Sequence, residues 1–298
     1  MRVVAYRVRC DMHVHSAHSG RSTLPGLSRF CRESYSPPEA VYQTLRRRGM
    51  DLVTLTDHDS IEGAEILRSR ADFFLSEEVT CRAPSGTEVH IGVYGMAERH
   101  HIELQRRRND LPRLVRYVNE QRLFAVVNHP FSALTGRRQT EDFAFFSAFP
   151  ALEVLNAHLS RSHNQCARQL AERNLQLGVG GSDAHTVASA GSGWTEVPGA
   201  RNREDFLAGL RQGRGRAGGR SGTYAKLTAD VFRIALAVMT DEPATIALAP
   251  LLALVPVITF ANLVRERTFA QRWGRMILDG PERGALRQNY RQSQESVA

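Results

Sequence analysis

Between residues 3 and 180, short apolar runs alternate with segments whose apolar residues recur at helical spacing. The runs Val3–Arg7, Leu52–Thr56, Phe73–Val79, Glu88–Tyr94, Phe124–Asn128, Leu152–Asn156 and Leu177–Gly180 predict strands. Pro38–Arg48, Ile61–Arg70, His101–Asn119 and Asn164–Asn174 predict helices between them. Such alternation argues for βα units and a mostly parallel sheet. Seven strands in one run favour a closed or nearly closed barrel over an open sheet. No internal repeat is visible.

The pattern changes after residue 210. Residues 211–222, RQGRGRAGGRSG, read as a flexible exit from the barrel rather than a nucleic-acid-binding stretch, because no aromatic residue is interleaved. The chain then divides into a body, 1–222, and a helical tail, 223–298. Within the tail, Ala229–Met239 predicts an apolar helix, and the 22 residues 243–264 carry no charge before Arg265, Arg267 and Arg272. About 20 apolar residues suffice to cross a bilayer. Pro250, Pro256 and Asn262 argue against a straight crossing. We read 243–264 as a membrane-associated segment, with a buried or dimer-forming helical cap as the alternative. The trailing arginines would sit inside, which for a single span places the body outside.

Composition adds two constraints. The net charge of +8 comes from 38 arginines and a single lysine, Lys226. That skew fits a GC-rich bacterial genome, so phosphate-bearing partners are allowed by the charge and not required by it. Cys10, Cys31, Cys81 and Cys166 form no C-x-x-C pair and no disulfide framework, and the N-terminus has no uninterrupted apolar stretch. The expectation is a reduced, cytoplasmic protein anchored at the inner membrane by its C-terminal segment, a compartment that clashes with the outside orientation of a true single crossing.

All eleven histidines lie before residue 186. Asp11-Met-His13-Val-His15 places two imidazoles on one face of a strand, with Asp11 beside them to orient one. Thr56-Asp57-His58-Asp59 follows the apolar run 52–55, where barrel sites gather; Asp59 or Ser60 could equally cap the following helix. Ser76-Glu77-Glu78-Val79 offers a carboxylate able to bridge two ions. His90, Asn128-His129-Pro130 and Gly180-Gly181-Ser182-Asp183-Ala184-His185 complete the set. Each motif alone has an ordinary reading as a surface or core group. Together they offer eight ligands, too many for one ion, of the imidazole–carboxylate mix suited to Mn, Zn or Fe. Clustered ions about 3.5–4 Å apart can stabilise both the attacking and leaving oxygens of a phosphoryl displacement and generate hydroxide at neutral pH.

In this order the motifs closely resemble the PHP (polymerase and histidinol phosphatase) family of metal-dependent phosphoesterases, over roughly residues 5–220. The resemblance implies a distorted seven-stranded (β/α) barrel. It also implies that His13, His15, Glu78 and Asp183 hold one metal, and that Glu78 bridges to a second on His90 and His129. His58 and His185 would belong to a third. Glu78 rather than Glu77 fits, because Val79-Thr80 follows it. Glu78, Asp183 and His185 would carry the catalysis, with two or three divalent ions. One ligand is missing: where the family places Asp or His, this chain has Gly20 and Arg21. His18 could substitute, or Arg21 could face the substrate phosphate. A subgroup carries the runs Ser19-Gly20-Arg21-Ser22 and Glu33-Ser34-Tyr35 seen here. Glu153, Asn156, His158, Arg161 and His163 fall on the expected active-site side, Arg161 as a phosphate ligand.

The expected activity is hydrolysis of a phosphomonoester, nucleotide or short oligonucleotide. The alternatives are a metal-stabilised regulatory or binding module tethered to a membrane, and amide or lactone hydrolysis on the same metals.

Overall fold

The computed structural model describes residues 6–20, 31–135 and 138–278. Arg21, a candidate above, lies outside them. The elements in chain order are β1 (Arg7–Cys10), α1 (Pro38–Arg47), α2 (Glu62–Leu67), β2 (Ser76–Arg82), β3 (Glu88–Tyr94), α3 (Glu98–Arg107), α4 (Leu111–Glu120), β4 (Phe124–Val127), α5 (Thr140–Phe146) and β5 (Ala151–Asn156). They continue with α6 (Arg161–Asn174), β6 (Leu177–Gly181), β7 (Gly193–Pro198), α7 (Arg203–Arg211), β8 (Arg216–Gly219), α8 (Tyr224–Asp241), a 3-10 helix over Pro243–Leu254, and α9 (Val255–Leu278).

The fold is mixed α/β, and its hydrogen-bonded strands do not close into a barrel. They form a five-stranded sheet, β2-β3-β4-β5-β6, and a three-stranded sheet, β1-β7-β8. The expected seven-stranded closure fails at 52–58, which makes isolated parallel bridges (Cys10 with Leu52, Val53 with Phe73, His58 with Glu78) instead of a strand. Side-chain bonds are interleaved with the backbone ones there: the Val14 amide donates to Thr56 Oγ1 at 3.0 Å and the Arg9 amide to Asp51 Oδ2 at 2.8 Å. A fourth bridge, Val14 with Ala184, links the two edges next to the histidines.

The expected parallel sheet is also corrected. β2 and β3 pair antiparallel, as do β3 and β4; only β4-β5-β6 run parallel. Residues 83–87 between β2 and β3 are too few for a parallel crossover, which needs a dozen or more. The single helix expected over His101–Asn119 is two, because Asp110 caps α4 by accepting the Arg113 amide at 3.1 Å. The glycine–arginine run 211–222 is no flexible exit: residues 216–219 form β8, antiparallel to β7. Gly218 lies where a side chain would collide with the Trp194 ring, so glycine there serves packing.

One core lies between the large sheet and its helices, around Ile91, Leu104, Leu114, Phe131, Phe146 and Trp273. A second fills the interior around Met12, Tyr94, Phe124 and Phe206. Tyr94, fully buried, donates its hydroxyl to Met12 O at 2.7 Å and so ties the sheet to the His13 segment. The third, around Leu45, Leu55 and Leu67, holds α1 and α2 against the chain that carries Val14 and Ala184.

The tail runs out along α8 and returns as one continuous helical stretch, 243–278. The Thr228 and Thr259 hydroxyls meet at 2.8 Å, and Tyr224 donates to Pro256 O at 2.9 Å, so the start of α9 is tied to the start of α8. α9 then lies on the body: Thr259, Glu266, Ala270, Trp273 and Ile277 are buried, and Glu266 accepts the Ala133 amide at 3.1 Å.

Candidate metal centre

Glu78, on β2 and fully buried, is the hub. Its two oxygens face different groups. Oε2 lies 3.0 Å from His13 Nε2, 3.4 Å from His15 Nε2 and 3.3 Å from His58 Nε2. Oε1 lies 3.2 Å from His129 Nε2 and 3.5 Å from His90 Nδ1, and accepts the Asn128 amide at 2.9 Å. Asp183 Oδ1 closes the first group, 3.5 Å from His13 Nε2 and 3.4 Å from His15 Nε2.

These positions follow from local backbone. His13 and His15 share a face of the extended chain continuing β1. Gly181 is required beside them, since a Cβ there would sit 2.3 Å from the His13 Cβ. His129 (φ 29°) and Asp183 (φ 49°) adopt left-handed backbone conformations that are uncommon for side-chain-bearing residues, directly after β4 and β6. Strain of this kind is tolerated where a site demands it.

The donor set fits divalent ions, and the ring nitrogens show why. On most rings the outer nitrogen is tied and the inner one points at the cluster. His13 Nδ1 is 2.9 Å from Glu153 Oε1, and His15 Nδ1 is 2.9 Å from Ser19 Oγ. His58 Nδ1 is 3.3 Å from Thr80 Oγ1, His90 Nε2 is 3.1 Å from Glu88 Oε1, and His185 Nδ1 is 3.1 Å from Asp183 O. That is how ligating imidazoles are oriented by their surroundings. Meanwhile His13 Nε2 and His15 Nε2 face one another at 3.1 Å, and His90 Nδ1 is buried without a hydrogen-bond partner. Lone pairs converging in this way suit a shared cation better than one another.

Glu33 is the residue the sequence reading gave no role. It fills the place left by Gly20 and Arg21: its carboxylate lies 3.5 Å from His58 Nε2 and 3.2 Å from His185 Nε2. His15, Glu33 and His58 form one potential ion site, and His15, Asp183 and His185 another. The only sequence signal was the Glu33-Ser34-Tyr35 run itself. His18 does not substitute; it is partly exposed and faces Glu62 at 3.4 Å.

Electrostatics agree with geometry. Burial opposes charge on Glu78 and Asp183, yet His13 and its neighbouring imidazoles hold both carboxyls well below the usual range. Burial likewise opposes charge on His185, but the Glu33 carboxylate raises it to about 9. Burial, reinforced by the neighbouring His185, lowers His15 to about 4.

Other sequence candidates sit outside the cluster. Asp11 does not orient the His13 ring, which Glu153 does; it accepts the Ser182, Gly191 and His13 amides and fastens the chain beneath. Asp57 accepts from the Ser16 amide and hydroxyl. Asp59 caps no helix but accepts the Thr80 amide and pairs with Arg108. Glu77 points away, to His101 Nδ1 at 2.7 Å. Asn156 donates to Asp183 Oδ2 at 2.9 Å and to Glu153 Oε2 at 3.0 Å. His163 accepts the Phe131 amide in the core, and Arg161 is exposed at the first turn of α6.

With this geometry in place, comparison with known proteins is informative. A family model described as PHP-associated matches residues 161–214, from α6 through α7 and including Asp183 and His185. The match covers less than half of the chain. An uncharacterised protein of Methanocaldococcus jannaschii is 24% identical over 158 residues, 51% of this chain and 83% of its own. PsfC of Pseudomonas syringae shares the fold, with a TM-score of 0.54 at 18% identity, over 78% of this chain and 98% of that one. Two weaker likenesses are a Bifidobacterium adolescentis protein described as a metal-dependent phosphoesterase and a Chromobacterium violaceum amidohydrolase. The first has a TM-score of 0.41 at 15% identity, over 68% of this chain and 94% of its own. The second has 0.43 at 17%, over 74% and 96%.

Proposed function

We propose that the protein is a metal-dependent hydrolase of phosphate esters, acting on a phosphomonoester, nucleotide or short oligonucleotide. One observation carries the reading: the two oxygens of Glu78 face two separate imidazole groups. That arrangement suits two or three Mn, Zn or Fe ions sharing one carboxylate. When bound, such ions supply Lewis acidity and activate water at neutral pH. His13, His15 and Asp183 would hold one ion with Glu78, His90 and His129 a second. Glu33, His58 and His185 would hold the third. Glu153, Ser19, Thr80 and Glu88 keep the rings oriented, and Asn128 fixes the Glu78 carboxylate.

The test is hydrolysis by the full chain loaded with Mn or Zn, offered p-nitrophenyl phosphate, its bis ester, nucleoside monophosphates and short oligonucleotides. Turnover lost in Glu78→Ala is expected. Turnover of amides or lactones alone would replace the phosphoesterase reading with the amidohydrolase one.

A second observation favours membrane contact. By length and composition residues 243–278 could cross a bilayer, with 11% of the apolar window buried. Leu236, Ile246, Leu248, Leu251, Leu254, Val257, Ile258 and Phe260 are exposed, next to the exposed Arg265, Arg267 and Arg272. Apolar surface beside basic residues suits the face of an anionic bilayer. A crossing would need α9 stripped from the body, whereas lying along one membrane face would not, and it keeps the body in one compartment. Flotation with phosphatidylglycerol vesicles tests it. A chain that stays at the bottom of the gradient at low salt would sink the idea.

A further inference from the structure

A second cavity, of 690 Å³, opens beside the segment that follows His185. Its walls come from the end of α1, residues 188–192, β7, the exit of β8 and the first turns of α8. Arg48, Arg220, Lys226 and Arg233 line it, and no acidic residue does. Their local partners leave most of that charge uncompensated. Arg48 donates to the carbonyls of Ala188 and Ala190, and Lys226 to Ala157 O at 2.8 Å, which satisfies donors without neutralising charge. Among the described residues, Arg233 is the lining cation that forms an ion pair, with Asp230 at 3.0 Å, which is buried and also accepts the Thr186 and Ser189 hydroxyls.

Ser192 and Trp194 line the cavity, but Ser192 Oγ and Trp194 Nε1 are buried beneath its surface, with no hydrogen-bond partner among the described residues. The N-terminus of the 18-residue α8, capped by Thr223, opens on the same wall and adds a partial positive charge. The cavity falls in the size range of small-molecule sites, about 300–1,000 Å³.

We propose that this cavity is a second anion-binding site, taking a phosphorylated small molecule of mononucleotide size. Arginine forks meet the phosphate oxygens, and the open side admits the remainder. None of the four cations is among the residues gathered around Glu78. The site therefore stands or falls separately from the phosphoesterase reading. Through Asp230, which holds Thr186 and Ser189, it is mechanically joined to the segment that follows His185.

Calorimetric titration of the full chain with inorganic phosphate and with AMP tests the proposal, using wild type, Glu78→Ala and Arg220→Ser/Arg233→Ser. AMP is titrated in the Glu78→Ala background so that hydrolysis does not interfere. Saturable one-to-one binding is expected in wild type and in Glu78→Ala. It should be weakened at least tenfold by the arginine pair and weakened by added salt. If the double variant is misfolded by thermal melt, Arg220→Ser alone decides, because that side chain is exposed; a threefold loss is then expected. Absence of saturable binding overturns the proposal. So does binding lost in Glu78→Ala but kept in the arginine variant, which would put the anion on the metal centre.

Discussion

At the scale of single residues, the centre depends on how one carboxylate is shared. Glu78→Ala removes the group facing five imidazoles, so metal per chain is expected to fall sharply, by elemental analysis of the purified protein. One ion, unaffected by the change, would contradict a shared cluster. Glu33→Gln keeps size and removes charge beside His58 and His185. It is expected to lower the metal count by about one and leave the other ions in place; an unchanged count would deny Glu33 a ligand role. His163, a neighbour of the candidate ligand His129, gives a pH signature. Burial lowers it to about 4, with the nearby His129 adding to the effect. The folded form therefore stays neutral while the unfolded chain takes up a proton below about pH 6.5. Stability should fall as pH drops from about 6.5 to 4, by roughly 2–3 kcal/mol from this group. His163→Leu should flatten that part of a denaturant-midpoint profile, and a profile unchanged in shape would discard the assignment.

At the scale of elements, the tail is fastened by its last turns. Trp273 packs against Phe143 with ring centroids 5.6 Å apart and is almost fully buried. Trp273→Ala is expected to cost about 3–5 kcal/mol in urea unfolding. A loss under about 1 kcal/mol would show that α9 is undocked in solution. Elements also show what the sequence withheld. The run Glu88–Tyr94 was legible residue for residue, and β4, β5 and β6 to within about one residue. β7 and β8 were not: the RAGG run of β8 carries little strand propensity, and the alternating Trp194, Thr195 and Val197 of β7 went unread. The run 52–56 looked like a strand because it is apolar. It is apolar because it is buried, and its backbone bonds are scattered bridges to Arg9, Asp72 and Val14 rather than a continuous ladder.

At the scale of the whole molecule, the centre joins segments far apart in the chain: the β1 extension, 33, 58, 78, 90, 129 and 183–185. Bound ions therefore act as cross-links across the body. Removing them with EDTA should lower the thermal midpoint, and ions at 100-fold over their Kd should restore about 2.7 kcal/mol. A midpoint indifferent to chelation would mean that the cluster holds no ion that matters to folding.

The sequence by itself determined the chemistry on offer. Imidazoles and carboxylates at or near strand ends, and Glu78 ahead of Val79-Thr80, are local features, and local spacing fixes which face each side chain takes. The preference for Glu78 over Glu77 came from the family resemblance, in which the bridging Glu precedes an aliphatic residue and then Ser or Thr. Tertiary structure decided who stands beside whom. Glu33 enters the cluster, His18 leaves it, and Glu153 rather than Asp11 aligns the His13 ring, because contacts between residues tens to more than a hundred positions apart depend on how sheets pair and twist. The same holds for closure: apolar alternation specifies burial, whereas whether neighbouring strands complete a barrel depends on hydrogen bonds that no single segment encodes.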